Sequence, residues 1–526
     1  MRREDLIAPE KYNLVSEMER FAKDKNRLAL KWESEDGVKK EVTYDALMKR
    51  VNKIGHVLKD AGLEKGDIAL IIIPRLIEAY EVYLAALKIG IVVIPCSEML
   101  RPKDIEYRVR HAEVKGVICY HQFCDQVNAV KDTEQLVKLS VGQEVPGWLY
   151  LEEKIQSSSD TLALADTKSS DMAFLSYTSG TTSNPKGVVH THGWAYAHLK
   201  TAAANWLGVR EGDTVWATAA PGWQKWIWSP FLAVLGSGAT GLVYHGKFEA
   251  KKYLQLLEDY KVNALCCTPT EYRLMAKVDN LADYSLTELH SAVSAGEPLN
   301  REVIDIFEKY FNIQVRDGYG QTENTLLVGI SIGMELKPGS MGKPTPGNRV
   351  EIIDEDGVPC QVGQVGDIAV HIETPALFKS YYRDPERTAM QFRGEYYVTG
   401  DKARKDEDGY FWFEGRGDDM IISSGYTIGP FEVEDALIKH AYVKECAVVA
   451  SPDEVRGHVV KAYIVLQEHV DENEPQLVKT LQEHVKKVTA PYKYPRKIEF
   501  IKELPKTTSG KIRRVDLRNL DENHTG

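Results

Sequence analysis

The sequence predicts an α/β protein with a large, multi-layered N-terminal domain of α/β subdomains and a small, mobile α+β C-terminal domain. Two observations lead to this fold class: the chain has 526 residues, and about four-fifths of it alternates helical and strand patterns. Hydrophobic cores stop growing at roughly 250–300 residues, so a chain of this length is expected to divide into domains. Helices that alternate with strands are typical of layers built on a largely parallel sheet.

The individual elements follow from the spacing of apolar residues. Residues 44–61 carry apolar side chains at helical spacing and stop at Gly62, a residue type that commonly ends helices. Residues 68–73 form a continuous apolar run, as expected of a strand covered on both faces. The same order of a helix followed by a strand recurs at 77–88 with 91–94, 251–260 with 263–267 and 301–311 with 313–315. A succession of α/β units is therefore predicted.

A domain boundary is predicted at the Gly-rich, charged run Gly415-Arg416-Gly417-Asp418-Asp419, because a smaller α/β pattern follows it. We therefore assign residues 1–417 to the N-terminal domain and residues 418–526 to the C-terminal domain. Between residues 486 and 518, eleven Lys or Arg side chains stand against three acids, a local charge of +8. This basic cluster indicates either a solvated face or a small domain that closes over phosphorylated ligands.

The bulk composition argues against several classes of protein. The net charge of −11 disfavours a nucleic-acid binder, because a polyanion would be repelled at long range. The longest apolar stretch, at about 82–96, contains Lys88 and is shorter than the ~20 apolar residues of a membrane span. Seven cysteines without a C-x-x-C pair indicate free thiols in a reducing cytoplasm. We expect a cytoplasmic protein with small-molecule partners, and the composition leaves a homodimer open.

The most informative segment is Thr178-Ser179-Gly180-Thr181-Thr182-Ser183-Asn184-Pro185-Lys186-Gly187, which follows an apolar run that predicts a strand at 172–177. Glycine and small hydroxyl residues let backbone N–H groups approach an anion closely, and the lysine adds positive charge. The segment is not a Walker A loop, because Pro185 stands where that motif has its second glycine. By itself it indicates either a triphosphate cradle or a plain surface loop.

This segment is the first of six motifs that together resemble the adenylate-forming superfamily, which includes acyl- and aryl-CoA synthetases, firefly luciferase and peptide-synthetase adenylation domains. The other five follow in the family's order over essentially the whole chain, at residues 294–298, 317–323, 399–401, 415–419 and 505–511. Residues 424–426 and 491–496 and the length resemble medium-chain acyl-CoA synthetases most. The resemblance implies ATP-dependent activation of a short, branched or medium-chain monocarboxylic acid to acyl-AMP and pyrophosphate. Transfer to coenzyme A would then give acyl-CoA and AMP.

The resemblance also implies the residues of an ATP site. Attack of a carboxylate on the α-phosphate brings two anions together, so the site must neutralise charge and hold the reactants in line. Glu323 is implied to hold Mg²⁺, a hard cation that prefers oxygen ligands. The implied catalytic residues are Thr178, Lys186, Glu323 and Lys511. The implied ATP ligands are Thr178, Ser179, Gly180, Thr181, Thr182, Ser183, Asn184, Pro185 and Lys186 for the phosphates, Gly296, Glu297, Asp317 and Tyr319 for the adenine, Asp401 and Arg416 for the ribose, and also Gly318, Gly320, Gln321, Thr322 and Lys511.

Further implied roles belong to the C-terminal domain. Asp418 matches the hinge about which this domain rotates between the two half-reactions. The implied coenzyme A contacts are Ser424, Gly425, Tyr426 and Arg456. Medium-chain members usually carry an arginine directly after the Gly-Tyr pair, whereas this chain has Thr427. That departure keeps a weakened family member as an alternative.

The acyl pocket is assigned to residues 221–228, with Trp223, Lys225 and Trp226 as the candidate lining residues. In amino-acid-activating relatives an Asp in this region binds the substrate ammonium, but no acidic residue occurs here from 214 to 248. A free amino acid would therefore enter with its ammonium unpaired. The tryptophans indicate either a bulky apolar wall or ordinary core, and Lys225 is either a surface lysine or the partner of a polar group near the pocket.

Two other classes stay open on the sequence alone. An adenylating enzyme that loads a carrier protein or stops at acyl-AMP is mildly disfavoured, because no carrier-domain segment is recognised. A nucleotide-binding relic without activity is disfavoured by the presence of Glu323 and Lys511. Product analysis with and without coenzyme A, and ATP–pyrophosphate exchange, distinguish these classes from an acyl-CoA ligase.

Overall fold

The computed structural model describes residues 1–131, 133–178, 185–297, 299, 301–423, 426–453, 456–472, 474–506 and 512–524. It confirms the α/β class with a large N-terminal and a small C-terminal domain. In this described part the strands form sheets of eight, nine, five and five strands.

The eight-stranded sheet holds the predicted phosphate-loop strand. Its strands in spatial order are Ser380–Tyr381, Lys186–Thr191, Met172–Thr178, Val92–Cys96, Ile68–Ile72, Gly116–Tyr120, Val137–Val141 and Leu149–Tyr150. The strands from Met172–Thr178 onward run parallel, whereas Lys186–Thr191 returns antiparallel beside Met172–Thr178. Every residue of Ile68–Ile72 is buried, as its continuous apolar run predicts.

The nine-stranded sheet is parallel over its middle. Its strands in spatial order are Lys343–Pro344, Leu326–Gly329, Val315–Gly320, Ser291–Ala295, Ala264–Cys267, Thr214–Ala217, Thr240–His245, Leu28–Ser34 and Lys39–Thr43. The strand expected at 313–315 was placed too early: it begins at Val315 and extends to Gly320. Pairing of Ala292 through Ala295 with Val315 through Gly318 decides this position, although glycines usually weaken strands.

The strands of one five-stranded sheet precede the predicted domain boundary in the sequence, and the strands of the other follow it. The first contains Val350–Ile353, Val365–His371, Tyr396–Lys405, Phe392–Arg393 and Phe411–Arg416. The second contains Tyr426–Ile428, Ile421–Ser423, Gly457–Leu466, Val443–Asp453 and Lys497–Phe500. The chain thus changes sheet between Arg416 and Ile421, the interval that holds the boundary we propose.

Helices flank these sheets. The α-helices are Ser16–Glu19, Tyr44–Asp60, Ile77–Lys88, Pro102–Ala112, Cys124–Asn128, Leu151–Lys154, His192–Ala202, Gln224–Trp226, Ala250–Asp259, Pro269–Ala276, Arg301–Phe311, Pro385–Met390, Pro430–Ile438, Leu477–Val488 and Arg514–His524. Shorter 3₁₀ turns are Arg3–Leu6, Arg20–Lys23, His121–Phe123, Ile155–Ser157, Leu281–Asp283 and Pro491–Lys493, and π-helical segments are Ala203–Leu207 and Ile227–Val234. The helix Tyr44–Asp60 begins after Thr43, whose Oγ1 accepts from the Ala46 N–H at 3.2 Å, and it ends before Gly62, where φ is 93°.

The topology brings the sequence motifs to strand ends. Met172–Thr178, Ser291–Ala295 and Val315–Gly320 each lead into one of the motifs at their carboxyl ends. Ligands in α/β proteins bind outside the carboxyl ends of parallel strands. The candidate site therefore lies where the loops of two sheets meet.

Candidate active site

Glu323 lies at the centre of a compact group of charged and polar side chains. Its Oε1 is 2.8 Å from the Lys186 Nζ and accepts a hydrogen bond from the Tyr381 hydroxyl at 2.9 Å. The Lys186 Nζ also donates to the Tyr381 oxygen at 2.8 Å. Glu323 is only 6% exposed, so its negative charge needs a partner, and Lys186 supplies one.

The fold fixes this group from three directions. Lys186 opens the strand Lys186–Thr191, and Tyr381 pairs with Val188 of the same strand. The Phe378 N–H donates to the Glu323 carbonyl at 2.7 Å. The three side chains are far apart in the sequence: strand pairing joins the segments of Lys186 and Tyr381, and the Phe378 contact holds the turn that carries Glu323 beside them.

Two oxygens lack a hydrogen-bond donor among the described residues, one on Glu323 and one on Thr178, which pairs with Lys186 in the strand register. No described residue donates a hydrogen bond to Glu323 Oε2, and the Thr178 Oγ1 is buried without a partner among the described residues. Mg²⁺ in nucleotide sites is usually bound by one or two carboxylates together with phosphate oxygens and water. Glu323 and Thr178 therefore fit an Mg²⁺–triphosphate group. The remaining implied phosphate ligands, Ser179, Gly180, Thr181, Thr182, Ser183 and Asn184, lie outside the described residues, and so does Lys511.

Asp401, on the strand Tyr396–Lys405, bonds to the end of the nine-stranded sheet at Val315–Gly320. Its Oδ2 accepts from the Tyr319 hydroxyl at 2.6 Å and from the Gln321 Nε2 at 2.7 Å. Arg416 is its partner in the strand register, and the Arg416 Nε donates to Asp418 Oδ1 at 3.1 Å. The implied ribose residues, Asp401 and Arg416, are thus adjacent, and Arg416 connects them to the predicted hinge.

The loop after Ser291–Ala295 carries the implied adenine residues. Gly296 has a φ of 109°, and a side chain there would meet no atom within 4 Å, so this backbone faces open space. The Glu297 carboxylate accepts from the Thr270 hydroxyl at 3.2 Å. Asp317 instead faces the backbone, where it accepts from the Gly318 and Leu299 N–H groups at 2.8 and 3.4 Å. Burial raises the pKa of Asp317 to about 7. Asp317 therefore stabilises the loop after Ser291–Ala295 through its hydrogen bond with the Leu299 N–H.

Glycine is required in the strand that ends at Gly320. A Cβ at Gly320 would lie 2.1 Å from the Thr325 carbonyl oxygen, and one at Gly318 would lie 2.6 Å from Trp206 Cε2.

The turn that follows Gly320 is held by His190, whose Nε2 donates to the Thr322 carbonyl at 2.5 Å. Burial lowers the pKa of His190 to about 3, so the ring is neutral at physiological pH. His190 and Tyr381 were missed by sequence reasoning, because neither belongs to a motif that indicates its distant partner.

The side chains assigned to the acyl pocket occupy different environments. Trp226 is 1% exposed and packs on Tyr80, Tyr83 and Phe231 with ring centroids 4.8–5.2 Å apart. Trp223 is partly exposed. Trp226 therefore packs in the core, and the pocket roles of both Trp223 and Trp226 stay predictions.

Lys225 is not a surface lysine. Its Nζ is buried, has no hydrogen-bond partner among the described residues and lies 4.8 and 5.7 Å from the ring centroids of Trp206 and Trp228. Tryptophan faces attract an ammonium, which offsets part of its desolvation cost. The second alternative for Lys225, a partner for a polar group near the pocket, stays a prediction.

The implied coenzyme A contacts are only partly described. Ser424 and Gly425 lie outside the described residues, and Tyr426 begins the strand Tyr426–Ile428, paired with Ser423. Arg456 is exposed, and its backbone N–H donates to Asp453 Oδ1 at 2.9 Å. Their role toward coenzyme A stays a prediction.

The two-part fold and the convergent motifs define an adenylate-forming enzyme. The chain belongs to the AMP-binding enzyme family: the model of that family matches residues 18–382, and the model of the AMP-binding enzyme C-terminal domain matches residues 432–511. The resemblance inferred from the six motifs is confirmed.

Similar proteins extend over the whole chain. An uncharacterized acyl-CoA ligase, YtcI of Bacillus subtilis (strain 168), is 65% identical over 99% of this chain and 98% of its own length. The mitochondrial acyl-coenzyme A synthetase ACSM3 of Mus musculus is 41% identical over 98% of this chain and 91% of its own length. The crystal structure of the anthranilate CoA ligase AuaEII in complex with anthranoyl-AMP has a TM-score of 0.92, is 28% identical and covers 100% of both chains.

No helix among the described residues combines the length and the apolar character that crossing a bilayer requires.

Proposed function

We propose that this protein is an AMP-forming acid–CoA ligase that uses ATP and Mg²⁺ to activate a short, branched or medium-chain monocarboxylic acid. The observation that carries the proposal is the buried Glu323, paired with Lys186, together with the Thr178 hydroxyl at the end of the strand Met172–Thr178. Among the described residues, Glu323 Oε2 and the Thr178 hydroxyl have no hydrogen-bond partner. Coenzyme A as acceptor is supported by the relatives described as acyl-CoA ligases and synthetases. The protein would act in the cytoplasm, as a monomer or a homodimer.

In the first half-reaction the substrate carboxylate attacks the α-phosphate of ATP, and pyrophosphate leaves. Lys186 and the Thr178 hydroxyl would bind phosphate oxygens, and Lys511 would hold the attacking carboxylate against the α-phosphate. Mg²⁺ held by Glu323 would supply further positive charge at the phosphate oxygens. Asp401 and Arg416 would fix the ribose. Together these groups reduce the repulsion between two anions and hold them in line.

In the second half-reaction the coenzyme A thiol attacks the acyl carbon, and AMP leaves. Rotation about Asp418 would withdraw Lys511 and present the side of the C-terminal domain that carries Ser424, Gly425 and Tyr426. A decisive experiment is a carboxylic-acid panel assayed for AMP release with and without coenzyme A. Release that needs an acid but is unaffected by coenzyme A would favour a carrier-loading enzyme instead.

The acyl pocket predicts a difference between two tryptophans. Trp223→Gly is expected to shift the preference toward longer or bulkier acids, because it removes a partly exposed indole from the assigned pocket. Trp226→Gly should mainly destabilise the fold, by about 3–5 kcal/mol, because Trp226 packs in the core. Chain-length profiles and thermal unfolding of both variants test this. An unchanged profile in Trp223→Gly would remove that residue from the pocket wall.

Thr427, which stands in place of the family arginine, predicts weakened binding of ATP or coenzyme A that a substitution can restore. If the family arginine contacts phosphate or coenzyme A, Thr427→Arg should lower KM for ATP or for coenzyme A. A charged hydrogen bond is worth roughly 1.5–3 kcal/mol, which corresponds to about tenfold or more. Thr427→Lys is the matched control, because it restores the charge without the planar guanidinium. Unchanged KM values in both variants would contradict the assignment.

A further inference from the structure

Glu323, the residue that would hold the metal ion in the proposed function, is already paired with the cationic side chain of Lys186. The Lys186 Nζ lies 2.8 Å from Glu323 Oε1, so its charge is already balanced by a nearly buried carboxylate. A triphosphate that approached this pair would meet a neutral ion pair with an available carboxylate oxygen, Oε2. Electrostatic attraction would then be weak, because the negative charge of Glu323 opposes that of the phosphates.

A divalent cation on Glu323 changes this balance. Mg²⁺ bound through Oε2 would neutralise the carboxylate and leave a net positive charge, so that the Lys186 ammonium becomes available to the phosphates. The two residues then act as a coupled unit: the metal ion improves triphosphate binding both directly and by releasing Lys186. Such coupling is reciprocal, so bound triphosphate must equally favour the metal ion.

Tyr381 is placed to keep the carboxylate in position during this exchange. Its hydroxyl donates to the same Oε1 at 2.9 Å, and its strand is fixed by pairing with Val188. A donor on Oε1 restrains the carboxylate, as outer partners of metal-binding carboxylates do, and leaves Oε2 without a donor among the described residues.

We propose that Glu323 exchanges counter-cations, Lys186 for Mg²⁺, when Mg·ATP binds, and that Tyr381 is the positioning residue that holds the carboxylate throughout. This inference rests on the proposed ATP site. It adds that Mg²⁺ is needed to release Lys186 from its ion pair with Glu323, so that the lysine can bind phosphate.

The test is calorimetric binding of ATP without an acid substrate, in EDTA and in saturating Mg²⁺. Wild-type protein should bind ATP weakly in EDTA. Glu323→Gln keeps the shape but removes the charge that holds Lys186, so it should bind ATP in EDTA about tenfold or more tightly than wild type. The same variant should lose most of the gain on adding Mg²⁺. Equal or weaker binding of metal-free ATP by Glu323→Gln would overturn the exchange.

The role of Tyr381 is tested separately. Tyr381→Phe should lower the apparent Mg²⁺ affinity of the ATP complex by about tenfold or more, with a much smaller change for ATP in EDTA. Tyr382→Phe is the matched control, because that ring packs against His111, 5.7 Å away. Equal Mg²⁺ dependence in the two variants would make Tyr381 merely structural. If wild-type protein binds no ATP with or without Mg²⁺, the proposed function itself fails.

Discussion

Replacing Lys511 with alanine is expected to slow acyl-adenylate formation by about 10²-fold or more, and to leave thioester formation from supplied acyl-AMP and coenzyme A. By the family resemblance, the Lys511 ammonium bridges the attacking carboxylate and the α-phosphate. Removal of one preorganised charge partner typically costs about 10²–10³ in rate. ATP–pyrophosphate exchange measures the first step, and thioester release from acyl-AMP measures the second.

The residues on either side of Lys511 explain why the two steps should separate. Lys506 pairs with Ile512, and the Arg513 N–H donates to the Pro505 carbonyl at 2.9 Å. Arg514 binds both oxygens of Glu434 at 2.7 and 2.8 Å. These contacts anchor the flanks of Lys511 in the C-terminal domain, so the lysine would move with that domain.

A matched control is Lys502→Ala, which removes an exposed lysine of the same basic cluster outside the motif. It is expected to keep both half-reactions. Equal loss of both half-reactions in a correctly folded Lys511→Ala protein would contradict the two-conformation mechanism. The lysine would then belong to one fixed site that serves both steps.

Asp418→Pro is expected to keep ATP–pyrophosphate exchange and to lose thioester synthesis. Proline fixes φ near −65° and restricts the preceding residue as well, so the variant should hold the C-terminal domain in one orientation. Among the described residues the Asp418 N–H makes no hydrogen bond, so the substitution removes no backbone contact. Both half-reactions are measured on the purified variant.

The contacts on both sides of Asp418 support a pivot at this position. Arg416 pairs with Asp401 in the sheet of the N-terminal domain. Asp419 is 7% exposed and binds Arg514 and Arg518 of the last helix. Only Gly417 and Asp418 lie between these two anchors. The structure therefore offers a short segment in which a change of φ and ψ would reorient the C-terminal domain.

Asp418→Ala is the control that separates two effects of the proline. It removes the carboxylate that accepts from the Arg416 Nε but leaves φ free. It should retain far more thioester synthesis than Asp418→Pro. If both variants lose that step equally, the carboxylate matters and the rotation does not depend on φ at this residue.

The sequence by itself determined the elements whose signals are local. The spacing of apolar residues predicted the helices Tyr44–Asp60 and Ile77–Lys88, and a continuous apolar run predicted the buried strand Ile68–Ile72. Such patterns report which face of a segment is buried, and that is a property of a short stretch of chain. The family and its two-part fold followed from the order of six motifs, which needs no knowledge of contacts.

The tertiary structure decided what depends on residues far apart in the chain. The strand Val315–Gly320 extends through two glycines because Ser291–Ala295 pairs beside it. The Lys225 ammonium is buried beside the rings of Trp206 and Trp228, whereas the Trp226 ring packs in the core. The contacts of Lys186 with Glu323 and Tyr381 join two strands and a turn that are neighbours only in space. Local patterning predicts which residues are buried. The partner of a buried charge depends on how distant segments pack together, and a short stretch of sequence does not predict that.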